Sequence, residues 1–480
     1  MKKTVATITA AAVVLAALTA AYLFAGRTDH GGEAPESFGP EADARIVLID
    51  KDKEKLGAAF FYGGTSVTVI LPWMDEGGQN RVSWMVDGYE GVNLNSSVMD
   101  KMVEPLCGLT SDRMISDGDD GLAEYGLEYP DVVAVGQFYD GSETKIYLGA
   151  MTPTKDYYYV RVDGTPGVYL MDATEGARLT MTVNDMAYKA SPYINFGAVV
   201  YVYIIQKDGR EMVLSFDGDR GETDEAREKY GFVPLTMYSP YPGIDADNDS
   251  VAEILLESAQ EVTFLRAVEV APPDYSAYGF DEPELIIFLI DEDGNEYCLY
   301  VGDDASTDAG NETVYAMVTD RPVVFEVAKE TLRAFYNVNP FMFIDRRIFK
   351  DDPRDAELIR MELAGPGLDY EILPRGGEGG VPLVNGAAAD ADLFRAFFDA
   401  LTNLSYDAEL KDQSMTGDLF FTARIYYDGG ASVTAARFYN YSNDFYAASA
   451  GDYPALFVVN KRSINSIVDT LETLTASSTN

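Results

Sequence analysis

Residues 125–149 read YGLEYPDVVAVGQFYDGSETKIYLG, and residues 278–302 read YGFDEPELIIFLIDEDGNEYCLYVG. The two stretches share one frame. Tyr125-Gly126, Pro130, Asp140-Gly141, Glu143, Tyr147 and Gly149 reappear as Tyr278-Gly279, Pro283, Asp293-Gly294, Glu296, Tyr300 and Gly302, every pair 153 positions apart. Upstream, Ser97-Val98, Asp100, Glu104 and Thr110 match Ser250-Val251, Glu253, Glu257 and Thr263 at the same offset. A gap-free correspondence over residues 97–149 marks an internal repeat, the sequence signature of one structural unit used more than once. A third copy, shorter and more diverged, has Thr416-Gly417 at the Tyr-Gly corner and Asp428-Gly429 at the Asp-Gly turn.

Each copy reads as strands, one helix and more strands. Alternating β-rich segments come first: Ile46 to Asp50, Val67 to Trp73 and Val82 to Val86; then Val199 to Gln206 and Met212 to Phe216; then Leu358 to Leu363 and Leu368 to Leu373. An amphipathic helix follows, starting near Ser97, Ser250 and Asp390, with Ser97 and Ser250 as the expected N-caps. After it comes a hairpin on a two-residue Asp-Gly turn, and two further strands close the copy. The expected fold class is α+β: tandem β-rich modules, each an antiparallel sheet with a covering helix, after one N-terminal transmembrane helix. The expected divisions are a signal-anchor or signal peptide over 1–26, a stalk over 27–44, modules over 45–190, 191–340 and 341–474, and a disordered tail over 475–480.

Composition removes several functions. The chain has 480 residues, 36 Lys and Arg, 79 Asp and Glu, and a formal charge of −43, so it repels phosphate backbones and nucleic-acid binding is excluded. Its single histidine, His30, lies in the stalk, which leaves no imidazole elsewhere for a Ser-His-Asp triad or a multi-histidine zinc site. Lys2 and Lys3 precede an apolar run from Val5 to Phe24, long enough to cross a bilayer, and their charge favours an inside N-terminus with the bulk outside. A signal peptide cut near Ala17, Ala20 or Ala21 is the alternative; both readings place the chain beyond the membrane.

The candidate chemistry competes with plain structural roles. Asp245, Asp247 and Asp249 have the alternate spacing of a calcium loop, yet Ser250 and Leu256 stand where its glycine and bidentate glutamate belong. Helix capping is the competing reading. Asp291, Asp293, Asn295 and Glu296 invite a metal reading that a hairpin turn explains equally well. Cys107 and Cys298 fall on a helix and a strand, read as two separate buried thiols. Tyr157, Tyr158, Tyr159, Tyr238, Tyr241, Tyr439, Tyr441 and Tyr446 either present an aromatic recognition surface or fill sheet faces. No catalytic residue, metal or cofactor is assigned.

The frame of Tyr125 to Leu127, Pro130, Asp140-Gly141, Tyr147 to Gly149, Tyr157 to Arg161 and Val168 to Leu170 resembles the bacterial domain of unknown function 4340 family. The second frame, Tyr278 to Phe280 with Pro283, Asp293-Gly294 and Tyr300 to Gly302, is similar. The resemblance implies an exported, membrane-tethered protein associated with ABC-type export systems, and it brings no catalytic residues. The expected function is a non-enzymatic binding or scaffolding component of the cell envelope, with transporter subunits or envelope proteins as partners. An exported glycan- or peptide-recognition module is the alternative, and a carboxylate-based hydrolase the third reading.

Overall fold

The computed structural model describes residues 45–477, apart from position 65 and the stretches 76–80, 119–120, 217–232, 308–309, 365–368, 413–415 and 452–453. The expected anchor, the stalk and His30 lie outside the described residues. Contacts group the chain into two compact units. One takes the described residues before position 66 together with Val103–Leu179; the other takes Ser66–Met102 and everything from Thr180 onward. The division therefore runs through the first repeat.

In the first repeat the strands are β1 (Ile46–Asp50), β2 (Leu56–Gly63), β3 (Ser66–Met74), β4 (Arg81–Val86), β5 (Gly108–Ser111), β6 (Met114–Ser116), β7 (Val132–Phe138), β8 (Glu143–Met151), β9 (Tyr157–Val162) and β10 (Thr165–Asp172). The second supplies β11 (Val199–Gln206), β12 (Glu211–Phe216), β13 (Leu235–Ser239), β14 (Ile244–Asp245), β15 (Phe264–Val270), β16 (Leu285–Asp291), β17 (Glu296–Ser306), β18 (Thr313–Val318) and β19 (Val323–Ala328). The third supplies β20 (Leu358–Leu363), β21 (Asp369–Leu373), β22 (Leu383–Val384), β23 (Ala387–Ala388), β24 (Ala408–Glu409), β25 (Leu419–Tyr427), β26 (Ser432–Asn440), β27 (Phe445–Ala450) and β28 (Phe457–Asn460).

Three strand orders coincide: β2-β7-β8-β9-β10-β6, β11-β16-β17-β18-β19-β15 and β20-β25-β26-β27-β28-β24. In the second and third, the strand that follows the covering helix, β15 or β24, returns to the far side of the closing meander; in the first, β5 follows the helix and pairs with β1 in a separate two-stranded sheet, and the next strand, β6, takes the far-side place. The diverged third copy thus keeps the full topology. Register repeats as well. β7 pairs with β8 from Val132↔Leu148 to Gln137↔Glu143, and β16 pairs with β17 from Leu285↔Val301 to Ile290↔Glu296, the same partners moved by the sequence offset.

Among the described residues the helices are α1 (Ser96–Cys107), α2 (Ala173–Leu179), α3 (248–260), α4 (Arg333–Tyr336), α5 (Ala391–Thr402) and α6 (Lys461–Ser477). Met99, Met102, Val103 and Leu106 are buried on α1, and Phe394, Phe397, Phe398 and Leu401 on α5, both at the i, i+3, i+4, i+7 spacing of one helix face. The caps differ from expectation. Asn95, not Ser97, caps α1 by accepting from the Ser97 N–H at 3.0 Å, and Asp247, not Ser250, caps α3 by accepting from Ser250 N at 3.3 Å and Ser250 Oγ at 3.0 Å. Each cap residue also donates its N–H to a buried linker, to Met186 O at 2.7 Å and Phe343 O at 2.9 Å. From cap to end α3 holds one residue more than α1, and its π segment Val251–Leu256 absorbs the surplus. The last helix runs to Ser477, into the stretch expected to be tail.

The Asp-Gly hairpins close on three residues, not two. Phe138 N–H donates to Ser142 O at 3.0 Å and Gly141 N–H to Phe138 O at 2.9 Å; Asp291 to Asn295 and Gly294 to Asp291 repeat the pattern at 3.1 and 3.0 Å. This is a type I turn followed by a left-handed residue, the role taken by Gly141 at φ +79° and Gly294 at φ +80°. Asp supplies a carboxylate to the turn's amides, as Asp140 Oδ1 does for Ser142 N at 2.8 Å.

The Tyr-Gly corner has a steric reason. A Cβ on Gly149 would stand 2.3 Å from the Tyr125 carbonyl oxygen, and one on Gly302 would stand 2.0 Å from that of Tyr278. No side chain fits there. At the corner glycine itself, a Cβ on Gly126 or Gly279 would lie 2.7 Å from the backbone nitrogen of Ala150 or Asp303, whereas one on Gly417 in the third copy would lie 3.1 Å from the Asn440 oxygen, a looser approach that goes with its diverged sequence. Gly149→Ala and Gly302→Ala should therefore each destabilise their module by about 1–3 kcal/mol, the usual range for overpacking. Gly108→Ala, with nothing within 4 Å, should stay within about 0.5 kcal/mol of wild type. Urea unfolding followed by circular dichroism reads both.

Candidate functional site

The three aspartates singled out by spacing line a cleft of about 930 Å³ in the second unit. Asp245 sits on β14, Asp247 caps α3 and Asp249 is exposed on its first turn. Across the cleft stand Asp345, Arg347, Lys350, Tyr406 and Asp407. Most of these charges are engaged. Lys350 Nζ pairs with Asp245, while Arg347 grips Asp345 through Nε at 3.0 Å and Nη2 at 2.7 Å. Burial works against the charge on Asp345, but the Arg347 guanidinium holds its carboxyl below the usual range. Asp407 accepts from the Asn460 N–H at 2.7 Å. Among the described residues, no group of three or more His, Cys, Asp or Glu converges as a metal site needs. The cleft is built from caps and ion pairs.

The second acidic cluster resolves in the same way. Asp291 is 1% exposed and its carboxylate accepts four hydrogen bonds: from Asn195 N at 2.9 Å, Asp293 N at 3.1 Å, Asn295 N at 2.9 Å and Asn295 Nδ2 at 2.9 Å. Burial alone would raise its pKa, but these donors outweigh it and leave the group below its ordinary 3.8. Asp291 thereby ties the segment entering β11 to the β16–β17 turn. Cys107 and Cys298 are buried and not joined in a disulfide, and burial pushes the Cys298 thiol up, away from reactivity.

A second cavity, about 570 Å³, is lined by Gln206, Arg210, Ser239, Tyr241, Asn339 and Glu409. Tyr241 is 5% exposed, donates to Glu409 and packs its ring 5.0 Å from Phe457, where Phe341 and Tyr406 also gather. Burial and the Glu409 hydrogen bond push its hydroxyl pKa well up. Tyr241 and Tyr446 are thus core residues and leave the aromatic surface set; Tyr238 stays half exposed, and Tyr157, Tyr158, Tyr159, Tyr439 and Tyr441 are partly buried. Tyr158 is fixed from the side, its ring filling the place where Gly176 on α2 has no Cβ.

Side chains on the less buried faces of the three sheets differ sharply. On the third, Arg360 faces Glu371 and Arg424, and Arg424 Nη1 bonds Glu362 Oε1 at 2.7 Å. On the first, Val135 faces Lys145, and the Arg161 guanidinium lies 4.3 Å from the Tyr147 ring. On the second, three cross-strand rows read Ile205–Ile286–Tyr300, Val213–Tyr203–Phe288–Cys298 and Tyr201–Ile290. Glu211 closes the first row on β12, and Ser215 and Glu296 close the third on β12 and β17; no charge lies within a row. Within the rows, all but Cys298 are partly exposed. Sequence reasoning passed over this surface, although Leu285 to Ile290 is apolar at both parities, the mark of a strand with two apolar faces.

Matches to the family model described as Domain of unknown function (DUF4340) cover residues 84–233 and 235–417. The chain belongs to this family. Each DUF4340 match opens on an equivalent strand, β4 or β13, so the family unit begins just before a covering helix and ends in the next repeat. No curated protein and no solved structure matches the chain. Among the described residues, no helix of this DUF4340 protein is long and apolar enough to cross a membrane.

Asp291 gives this subsection its test. A carboxyl whose folded pKa lies below 3.8 contributes stability in full above that value and loses it as pH falls through the folded pKa. Asp291→Asn should cost about 1–3 kcal/mol near neutral pH, the range for leaving buried donors unmatched. Thermal melts of variant and wild type should converge as pH drops below about 4.

Proposed function

We propose that this DUF4340 protein is a non-enzymatic binding or scaffolding component of the bacterial envelope, tethered by its N-terminal segment with its modules beyond the membrane. The observation that carries the reading is how the acids are used. The carboxylates of Asp245, Asp247, Asp291, Asp345 and Asp407 hold helix caps, turns and ion pairs. Catalysis by a carboxylate pair needs two groups facing a substrate across a gap, and these five carboxylates are bound to the scaffold itself. What the repeats supply is surface: one sheet topology presented three times, with three different outer faces.

The tether rests on Lys2, Lys3 and the apolar run Val5 to Phe24. Association with an ABC-type export system comes from the family resemblance and is the finer part of the proposal. The test uses the full-length tagged chain in a bacterial host. Membranes washed with carbonate should retain it, and mild solubilisation followed by affinity capture should recover transporter subunits. A carbonate-soluble chain would overturn the tether, and capture of no transporter subunit would overturn the association.

A further inference from the structure

The open face of the second sheet carries polar residues only at the ends of its outer rows, Glu211, Ser215 and Glu296, and is apolar or aromatic between them. Antiparallel sheets with one solvated side alternate apolar-in and polar-out, and the third module obeys this with its Arg360, Glu362, Glu371 and Arg424 ladder. The second module, on the same strand order, places Tyr201, Tyr203, Ile286 and Phe288 at the equivalent surface, each partly exposed. The difference lies in the residues, not the scaffold. Contiguous apolar surface of this kind marks an interaction site.

We infer that this face docks an amphipathic helix of another protein whose apolar stripe is flanked by basic residues. The dimensions fit. Strands β12, β11, β16 and β17 span about 14 Å at the usual strand spacing, close to the width of one helix with its side chains. Charge selects the flanks. Exposed Glu211 and Glu296 stand at opposite ends of the outer rows, opposite Ile205 and Ile290, on a chain of net charge −43. A second copy of the chain would set like charges against each other, as would an anionic bilayer. Lysine or arginine beside the stripe would meet Glu211 and Glu296 instead.

The inference rests on the binding reading above and names the surface and the partner chemistry. The test uses the full-length chain in neutral phosphatidylcholine nanodiscs, with empty discs as reference, and a labelled Leu/Lys amphipathic peptide of about 18 residues. The charge-neutral double variant Tyr203→Thr/Phe288→Thr should bind at least about tenfold more weakly than wild type, as loss of aromatic anchors does. Tyr426→Thr, on the third sheet's open face, should bind like wild type. Glu211→Gln/Glu296→Gln, which spares the apolar rows, should weaken binding and flatten its salt dependence. Equal affinity of the Thr double variant and wild type would show charge attraction alone and overturn the site while leaving the tether and the transporter association untouched. Absence of peptide binding to wild type, or a wild-type dimer dissolved by the Thr double variant, would also overturn it.

Discussion

Two backbones meet at Gly149 and Gly302 with no room for a methyl group between them. The carbonyls of Tyr125 and Tyr278 rest against these glycines, and that contact sets where the chain turns before it enters β7 and β16. From there the rest follows. The corner fixes the start of the hairpin, the Asp-Gly loop fixes its end, and the register between is the same in both copies. A steric rule in two places thus reproduces one pairing scheme twice, because shifting register by one residue would exchange the core and open faces of the strand.

The third copy shows how much of this can be relaxed. Its corner glycine stands farther from the strand, yet the strand order is unchanged. Burial makes up the difference. Phe394, Phe397, Phe398 and Leu401 on α5 form a cluster of rings and aliphatic carbon, with Phe394 and Phe398 centroids 4.6 Å apart. Apolar burial of this size outweighs local turn chemistry in holding a sheet.

The repeat, the helix faces and the hairpins were legible in the sequence because each leaves a periodic trace. Phe394 to Leu401 falls at helical spacing, and Asp140-Gly141 and Asp293-Gly294 recur at one offset. The caps were misread by two or three residues: Ser97 and Ser250 match each other in sequence, while Asn95 and Asp247 match in hydrogen bonding. One extra residue within α3, taken up by the π segment, hides that equivalence from an alignment. Tyr241 and Tyr446 stayed open between a recognition surface and a sheet face because they lie among Ser, Asn, Pro and Gly, and tertiary packing buries them. The apolar open face escaped notice for the opposite reason: Leu285 to Ile290 reads as core, and only pairing separates its two parities.

Amide hydrogen exchange of the full-length chain, read by mass spectrometry, tests the repeated hairpin most directly. The account predicts strong, matching protection in 132–138 with 143–148 and in 285–291 with 296–301, broken by fast exchange at the intervening turns. Protection of one hairpin with coil-like exchange in the other would contradict it.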